Sequence, residues 1–215
     1  MSEVVASEES FAAIIVAAGS GTRFGRSKHD LVLGGKPLWR WSVETFEEAG
    51  ASEIVVVGDV PGGVPGGNRR RDSVRAGLDA LTSGSPIVLI HDAARPLVGI
   101  DLIEAVVAAI AGTGVEGAIP VIPVTDTIKR VEASRVGETV DRSALVAVQT
   151  PQGFITQALM DAHRKLPSAD VTDDATLVER NGGIVVIVDG DRANIKITFP
   201  GDLAMAEAIV AGGVQ

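Results

Sequence analysis

The 215-residue sequence predicts an α/β fold: a three-layer, Rossmann-like arrangement with a mostly parallel twisted sheet between helices. Three observations carry this. Apolar runs of strand length alternate with segments of helix length along nearly the whole chain. The composition is 46 % hydrophobic but only 3 % aromatic, so the core must be built from Val, Ile, Leu and Ala, which suits a sheet buried on both faces. No internal repeat or linker divides the chain, and a chain of this length buries about 70 % of its unfolded surface as one unit. A single domain over 11–215 is therefore expected, after a short disordered lead-in at 1–10.

The elements follow in order. AAIIVAA (12–18) reads as a buried strand ending at a glycine-rich loop. KPLWRWSVETFEEAG (36–50) reads as a helix, with Pro37 near its start and Gly50 after its end. EIVVVG (53–58) is a second strand, and DVPGGVPGGN (59–68) consists largely of turn formers. RRDSVRAGLDAL (70–81) has helical pattern, and PIVLI (86–90) is a third core strand running into HDAARP. A helix over 100–112 and a strand over 116–124 come next. Residues 126–148 break the rhythm: TIKRV and ETVDR flank EASRVG as a hairpin whose short polar strands would be marginal alone in water. This arm is expected to pack on another surface, such as a second subunit. Helices near 155–165 and 173–181, strands over 184–188 and 194–199, and a final helix from Gly201 complete the chain.

Composition excludes several classes of function. Without cysteine there are no disulfides, iron–sulfur clusters, thiolate zinc sites or cysteine nucleophiles. No apolar run reaches the roughly 20 residues of a membrane span. The acidic start MSEVVASEES lacks the basic region of a secretory signal, so a cytoplasmic protein is expected. A net charge of −9 argues against a general nucleic-acid binder. An anionic ligand would need a local cluster of cations.

Such clusters fall in a few places. AAGSGTRFGRSK (17–28) follows the first strand, where glycines let backbone N–H groups approach and cradle phosphate oxygens. Its spacing matches neither the P-loop nor G-x-G-x-x-G. Arg23 and Lys28 would add mobile charge, and a plain surface turn is the competing reading. HDAARP (91–96) leaves the third strand where ligands bind in open parallel sheets. There a single carboxylate, Asp92, suits Mg²⁺ beside phosphates. A helix cap at Asp92 with Arg95 as its surface partner is the alternative, and His91 reads as structural. RRRDSV (69–74) brings three arginines to a helix start, where the macrodipole attracts anions, or else forms a solvated basic patch. Ser73 and the preceding Gly67–Asn68 suit a base edge, although Ser73 could equally be a cap. Asp126–Thr127, Asp141–Arg142, Thr150–Pro151–Gln152 and Thr172–Asp173–Asp174 read individually as turn or cap chemistry. Lys196, in a short apolar strand, either snorkels from an edge or meets an anion.

Taken together, AAGSGTRFG, GGNRRRDSVRAGL, HDAARP, PVTDTIKR, TVDR, QTPQGF, TDDATLVE and NIKITFPGDL resemble the 2-C-methyl-D-erythritol 4-phosphate cytidylyltransferase family, over about residues 12–210. The resemblance implies a nucleotide-diphosphosugar-transferase-like fold with a protruding β-arm (126–148) that interlocks a homodimer. It implies CTP and a sugar-alcohol phosphate as substrates, with Mg²⁺. Ala17, Ala18, Gly19 and Gly21 would hold the triphosphate, with Arg23 and Lys28 stabilising charge on the α-phosphate and leaving group. Gly67, Asn68 and Ser73 would surround the cytosine. Asp92 would organise the metal and ribose, with Ala93 and Arg95 beside it. Thr127 and Arg142 of the partner's arm, with Thr150, Thr172 and Lys196, would hold the methylerythritol phosphate, and Arg142 and Lys196 would aim its phosphate. This chain departs from the commoner family pattern in the short run from Arg23 to Lys28, in the abbreviated stretch from Gly58 to Gly67, and in Asn68, where an acidic residue is often found. A relative acting on another alditol phosphate, such as ribitol 5-phosphate, and a non-catalytic nucleotide-binding relative are the alternatives.

Overall fold

The computed structural model describes residues 10–18, 31–167, 169 and 171–212. The expected lead-in, apart from Ser10, and the roles expected of Gly19, Gly21, Arg23 and Lys28 lie outside the described residues. Ser10 itself joins the fold, its hydroxyl 3.2 Å from that of Ser85.

In chain order the strands are β1 (Phe11–Val16), β2 (Val32–Leu33), β3 (Lys36–Pro37), β4 (Glu53–Val57), β5 (Ile87–Asp92), β6 (Gly117–Pro123), β7 (Ile128–Glu132), β8 (Arg135–Val140), β9 (Val146–Val148), β10 (Gln152–Ile155) and β11 (Val185–Asp189). The helices are α1 (Leu38–Glu48), α2 (Arg70–Ala80), α3 (Ile100–Ile110), α4 (Thr156–Lys165), α5 (Ala175–Arg180) and α6 (Pro200–Ala211). The main sheet runs β11-β6-β10-β5-β1-β4, with β9 paired to β6. β4, β1 and β5 are mutually parallel, as are β6 and β11, whereas β10 lies antiparallel between β5 and β6.

Alternation along each strand builds the three layers. Ala13 and Ile15 of β1, with Ile87 and Leu89 of β5, face Phe46 of α1 and Ile103 and Val106 of α3. Ile14, Val88 and Ile90 face the other way, against Val74 and Leu78 of α2, Leu159 of α4 and Leu177 of α5. A third, smaller cluster joins Leu31, Leu33, Leu38 and Ile197 to Ala206 of α6.

Three sequence expectations change. β10 is a strand that the sequence does not announce: it is short and begins with a polar Gln. Its place depends on Gly153, where a Cβ would lie 2.6 Å from Val106 Cγ1 and 2.8 Å from Leu89 Cδ2, so α3 packs directly on the backbone. The segment 194–199 is not a strand. Its apolar alternation reflects Ile197 and Ile195 packing on the third cluster rather than ladder pairing, and Ile197 N–H donates to the Ala94 carbonyl at 2.8 Å. The arm is shorter than 126–148. Within 126–148, β7 and β8 form a two-stranded sheet apart from the main one, as β2 and β3 do elsewhere, whereas β9 returns to the main sheet beside β6. Among the described residues, no helix is long and apolar enough to cross a membrane.

Candidate active site

A cleft of about 320 Å³ opens at the carboxyl ends of β1 and β5. That is the position a parallel sheet offers, because strand ends and helix starts present backbone groups without ladder partners. Its walls include Val16, Ala17 and Ala18 from the end of β1, Leu38 and Trp39 at the start of α1, and Gly67 and Asn68 in the preceding loop of α2. Arg69, Arg70 and Ser73 at the start of α2, and Asp92, Ala93, Ala94 and Lys196, complete it. Of the sequence candidates that the structure describes, Ala17, Ala18, Gly67, Asn68, Ser73, Asp92, Ala93 and Lys196 are thus brought together.

The others lie elsewhere. Arg95 is turned away from the cleft: its guanidinium donates to the Asn194 carbonyl at 2.7 Å and to the Val148 carbonyl at 3.3 Å, tying together the segments that carry Lys196 and β9. Thr150 is buried beneath Asp92. Its hydroxyl accepts the Asp92 N–H at 3.1 Å and lies 3.1 Å from His91 Nδ1. That engagement makes it part of the scaffold, unlike the open ligand contact expected of it. Thr172 is exposed just ahead of α5 and does not line the cleft. Thr127 and Arg142 are exposed at the base of the arm, just before β7 and just after β8, and the Arg142 guanidinium donates to the Thr125 carbonyl. Neither lines the cleft of its own chain.

The three consecutive arginines diverge because Arg69 is the extended N-cap residue of α2, while Arg70 and Arg71, as successive helical residues, point about 100° apart. Arg69 forks onto Asp72, with both N–H···O distances 2.9 Å. Arg71 turns inward and donates to the Ala169 carbonyl at 2.6 Å. Arg70 enters the centre of the site. Its Nε donates to Asp92 Oδ1 at 3.0 Å and its Nη1 to Asp174 Oδ2 at 2.5 Å. Lys196 Nζ donates to the other oxygen of Asp92 at 2.6 Å. Arg70 and Asp174 do not stand out in the sequence, because arginine in a basic run and aspartate before a helix both have ordinary surface explanations.

The electrostatics follow from this chain of contacts. Burial opposes ionisation of Asp92, but Arg70 and then Lys196 outweigh it and hold the carboxyl well below the usual range. Burial likewise opposes charge on Arg70, and Asp174 and Asp92 overcome it, so the guanidinium is even harder to deprotonate than usual. His91, fully buried, is pushed down to about 4 chiefly by desolvation. Its Nε2 lies 3.1 Å from the Arg95 carbonyl, which can only accept, so the neutral ring carries its proton there. His91 is therefore a core residue, as the sequence suggests.

Asp92 is the acidic side chain among the cleft's lining residues, and no cluster of three or more metal-ligating side chains exists among the described residues. This donor set fits a hard cation that takes one carboxylate and completes its shell with phosphate oxygens and water. Both Asp92 oxygens are paired with cations here, so accommodating a metal requires Lys196 to move.

The fold and the strand-end cleft define an α/β protein of the nucleotidyltransferase-like class. Residues 11–212 match the family described as IspD, 2-C-methyl-D-erythritol 4-phosphate cytidylyltransferase, and the chain belongs to that family. It is 41 % identical to the 2-C-methyl-D-erythritol 4-phosphate cytidylyltransferase of Streptomyces avermitilis, over 93 % of this chain and 91 % of that protein. It is 43 % identical to the bifunctional enzyme IspD/IspF of Rhodospirillum rubrum over 94 % of this chain, but spans only 57 % of that longer protein. The crystal structure of 2-C-methyl-D-erythritol 4-phosphate cytidylyltransferase from Thermus thermophilus superposes with a TM-score of 0.79 at 36 % identity, covering 93 % of this chain and 98 % of that one.

Proposed function

We propose that this chain transfers CMP from CTP to 2-C-methyl-D-erythritol 4-phosphate, giving 4-diphosphocytidyl-2-C-methyl-D-erythritol and pyrophosphate. The observation that carries the reading is Asp92, ionised at the end of β5 between Arg70 and Lys196, in a cleft of a chain belonging to this family. A phosphate oxygen of the acceptor attacks the α-phosphorus, a new P–O bond forms, and the α–β bridging bond breaks with pyrophosphate taking its electron pair. No covalent enzyme intermediate is needed, so positioning and charge stabilisation carry the catalysis.

In this reading the backbone at Ala17, Ala18, Gly19 and Gly21 holds the triphosphate, while Arg23 and Lys28 meet charge on the α-phosphate and leaving group. Gly67, Asn68 and Ser73 take the cytosine edge. Ser73 supports this edge from beneath, since its buried hydroxyl accepts the Gly67 N–H at 3.1 Å and stiffens that loop. Lys196, partly exposed beside Asp92, exchanges that carboxylate for the acceptor's phosphate. Asp92 would hold Mg²⁺, which would supply charge neutralisation for the triphosphate and the pyrophosphate leaving group. Arg95 and Thr150 support Lys196 and Asp92 from behind.

The reading includes a homodimer in which Thr127 and Arg142 of the arm reach the other subunit's acceptor site beside Thr172. It is supported by the arm's exposed apolar pair, Val131 at 70 % and Val136 at 72 %, which face each other across the hairpin. A cytoplasmic location accords with a reaction of nucleoside triphosphates. Pyrophosphate release from CTP and Mg²⁺, measured with methylerythritol phosphate and with ribitol 5-phosphate, tests the function. Turnover with the former is expected, and turnover with ribitol 5-phosphate alone would refute it.

A further inference from the structure

The ion-pair chain at the site continues past Asp92 into the interior. Asp174 is 1 % exposed, sits at the start of α5 and does not line the cleft. One of its oxygens takes the 2.5 Å bond from Arg70; the other lies 3.7 Å from His163 Nε2, beyond hydrogen-bond length. The Asp174 N–H donates to Gln152 Oε1 at 3.3 Å, which anchors its backbone whatever its side chain does. Desolvating a carboxylate and a guanidinium is costly, and apolar replacements of buried ion pairs are often neutral or stabilising. Stability alone is thus a weak reason for a carboxylate at this position.

Geometry supplies a better one. A guanidinium facing a single carboxylate prefers to fork onto both oxygens. Arg70 instead divides its donors, Nε to Asp92 and Nη1 to Asp174, and that leaves Asp92 Oδ2 to Lys196 on the cleft side. We propose that Asp174 is a positioning residue: by holding one arm of Arg70, it prevents Arg70 from closing on both oxygens of Asp92 and keeps one of them available to the cleft. This rests on the reading of the cleft as the nucleotide site.

The test uses Asp174→Asn, which keeps size and the backbone anchor while removing the charge that holds Arg70. With folding verified by thermal unfolding, kcat/KM for CTP is expected to fall about 10- to 100-fold, the usual cost of losing an outer-shell partner. Calorimetry should show CTP binding in Mg²⁺ weakened, with binding in its absence little changed. Arg70→Lys should lose only several-fold, because an ammonium is a point charge and cannot fork onto Asp92. Adding Asp174→Asn to Arg70→Lys should then cost little more, whereas a merely structural Asp174 would give losses that multiply. Multiplied losses, or wild-type kinetics and binding in Asp174→Asn, overturn the proposal. If Asp174→Asn does not fold, Asp174→Ser carries the same comparison, and wild-type kinetics and binding in that variant overturn the proposal. A wild-type protein that fails to turn over CTP would refute the proposed reaction, while the calorimetric comparison still decides the role of Asp174.

Discussion

Lys196 Nζ lies 2.6 Å from Asp92 Oδ2, although 104 residues separate the two along the chain. The contact brings the only lysine among the cleft's described lining residues to its one carboxylate. Because the Lys196 side chain is 44 % exposed, the pair contributes little to stability and is free to re-form with other partners.

Lys196→Ala should therefore leave the thermal midpoint almost unchanged and reduce turnover of methylerythritol phosphate by roughly 10²–10³, the usual cost of losing one charge-stabilising donor. CTP affinity, measured by calorimetry, should stay within a few-fold. A loss of CTP binding as large as the loss of turnover would contradict the assignment of Lys196 to the acceptor.

His91 predicts a pH dependence of stability. Its folded value of about 4 lies below the usual 6.5, so the stability it contributes is complete above 6.5 and is lost as pH falls from there through 4. The shift corresponds to roughly 3 kcal/mol at full extent. Asp92 and Asp174 are also held low, but their stabilisation is lost at more acid pH, below the ordinary carboxylate range. His91→Gln should flatten the denaturation free energy between pH 6.5 and 4 by one proton's slope; an unchanged slope would exclude His91 as its source.

Gly153→Ala should destabilise the protein by about 1–3 kcal/mol in urea titrations, because its methyl group overpacks the contact between β10 and α3. Val106 Cγ1, Ile110 Cδ1 and Leu89 Cδ2 would all lie within 2.8 Å of the added carbon. Wild-type stability would mean that α3 can shift away from the sheet without cost.

The arm offers a complementation test. If Arg142 serves the other subunit's site, Arg142→Ala and Lys196→Ala proteins are each inactive alone. Refolded together in equal amounts, they should recover about a quarter of wild-type activity, since half of the dimers regain one intact site. Absence of recovery, or full activity in a verified monomer, would rule out action across the interface. Replacing Val131 and Val136 by Asp should shift sedimentation towards the monomer and lower the unfolding midpoint by the share that association supplies, since both are exposed in the single chain.

The α/β frame, and the placing of HDAARP and GGNRRRDS at the mouth of the sheet, are legible in the sequence. These follow from local causes: near-continuous apolar runs in β1 and β5, and glycines and prolines near the ends of elements. Gly67, Asn68, Ser73 and Asp92 can be singled out because each stands in a motif near an element boundary, and Lys196 because it is a charge within an apolar stretch. How they combine is settled by packing in three dimensions. Packing separated Arg70 from Arg69 and Arg71, buried Thr150 under Asp92, turned Arg95 away from the cleft and inserted β10 antiparallel between β5 and β6. It also joined Asp174, Arg70, Asp92 and Lys196 into one line of alternating charge. The physical reason is range. Strand and helix patterns are written in neighbouring residues, whereas a buried ion pair is chosen by which distant groups the packed layers leave facing one another. A basic run and a Thr-Asp-Asp turn look the same in sequence whether they meet solvent or each other.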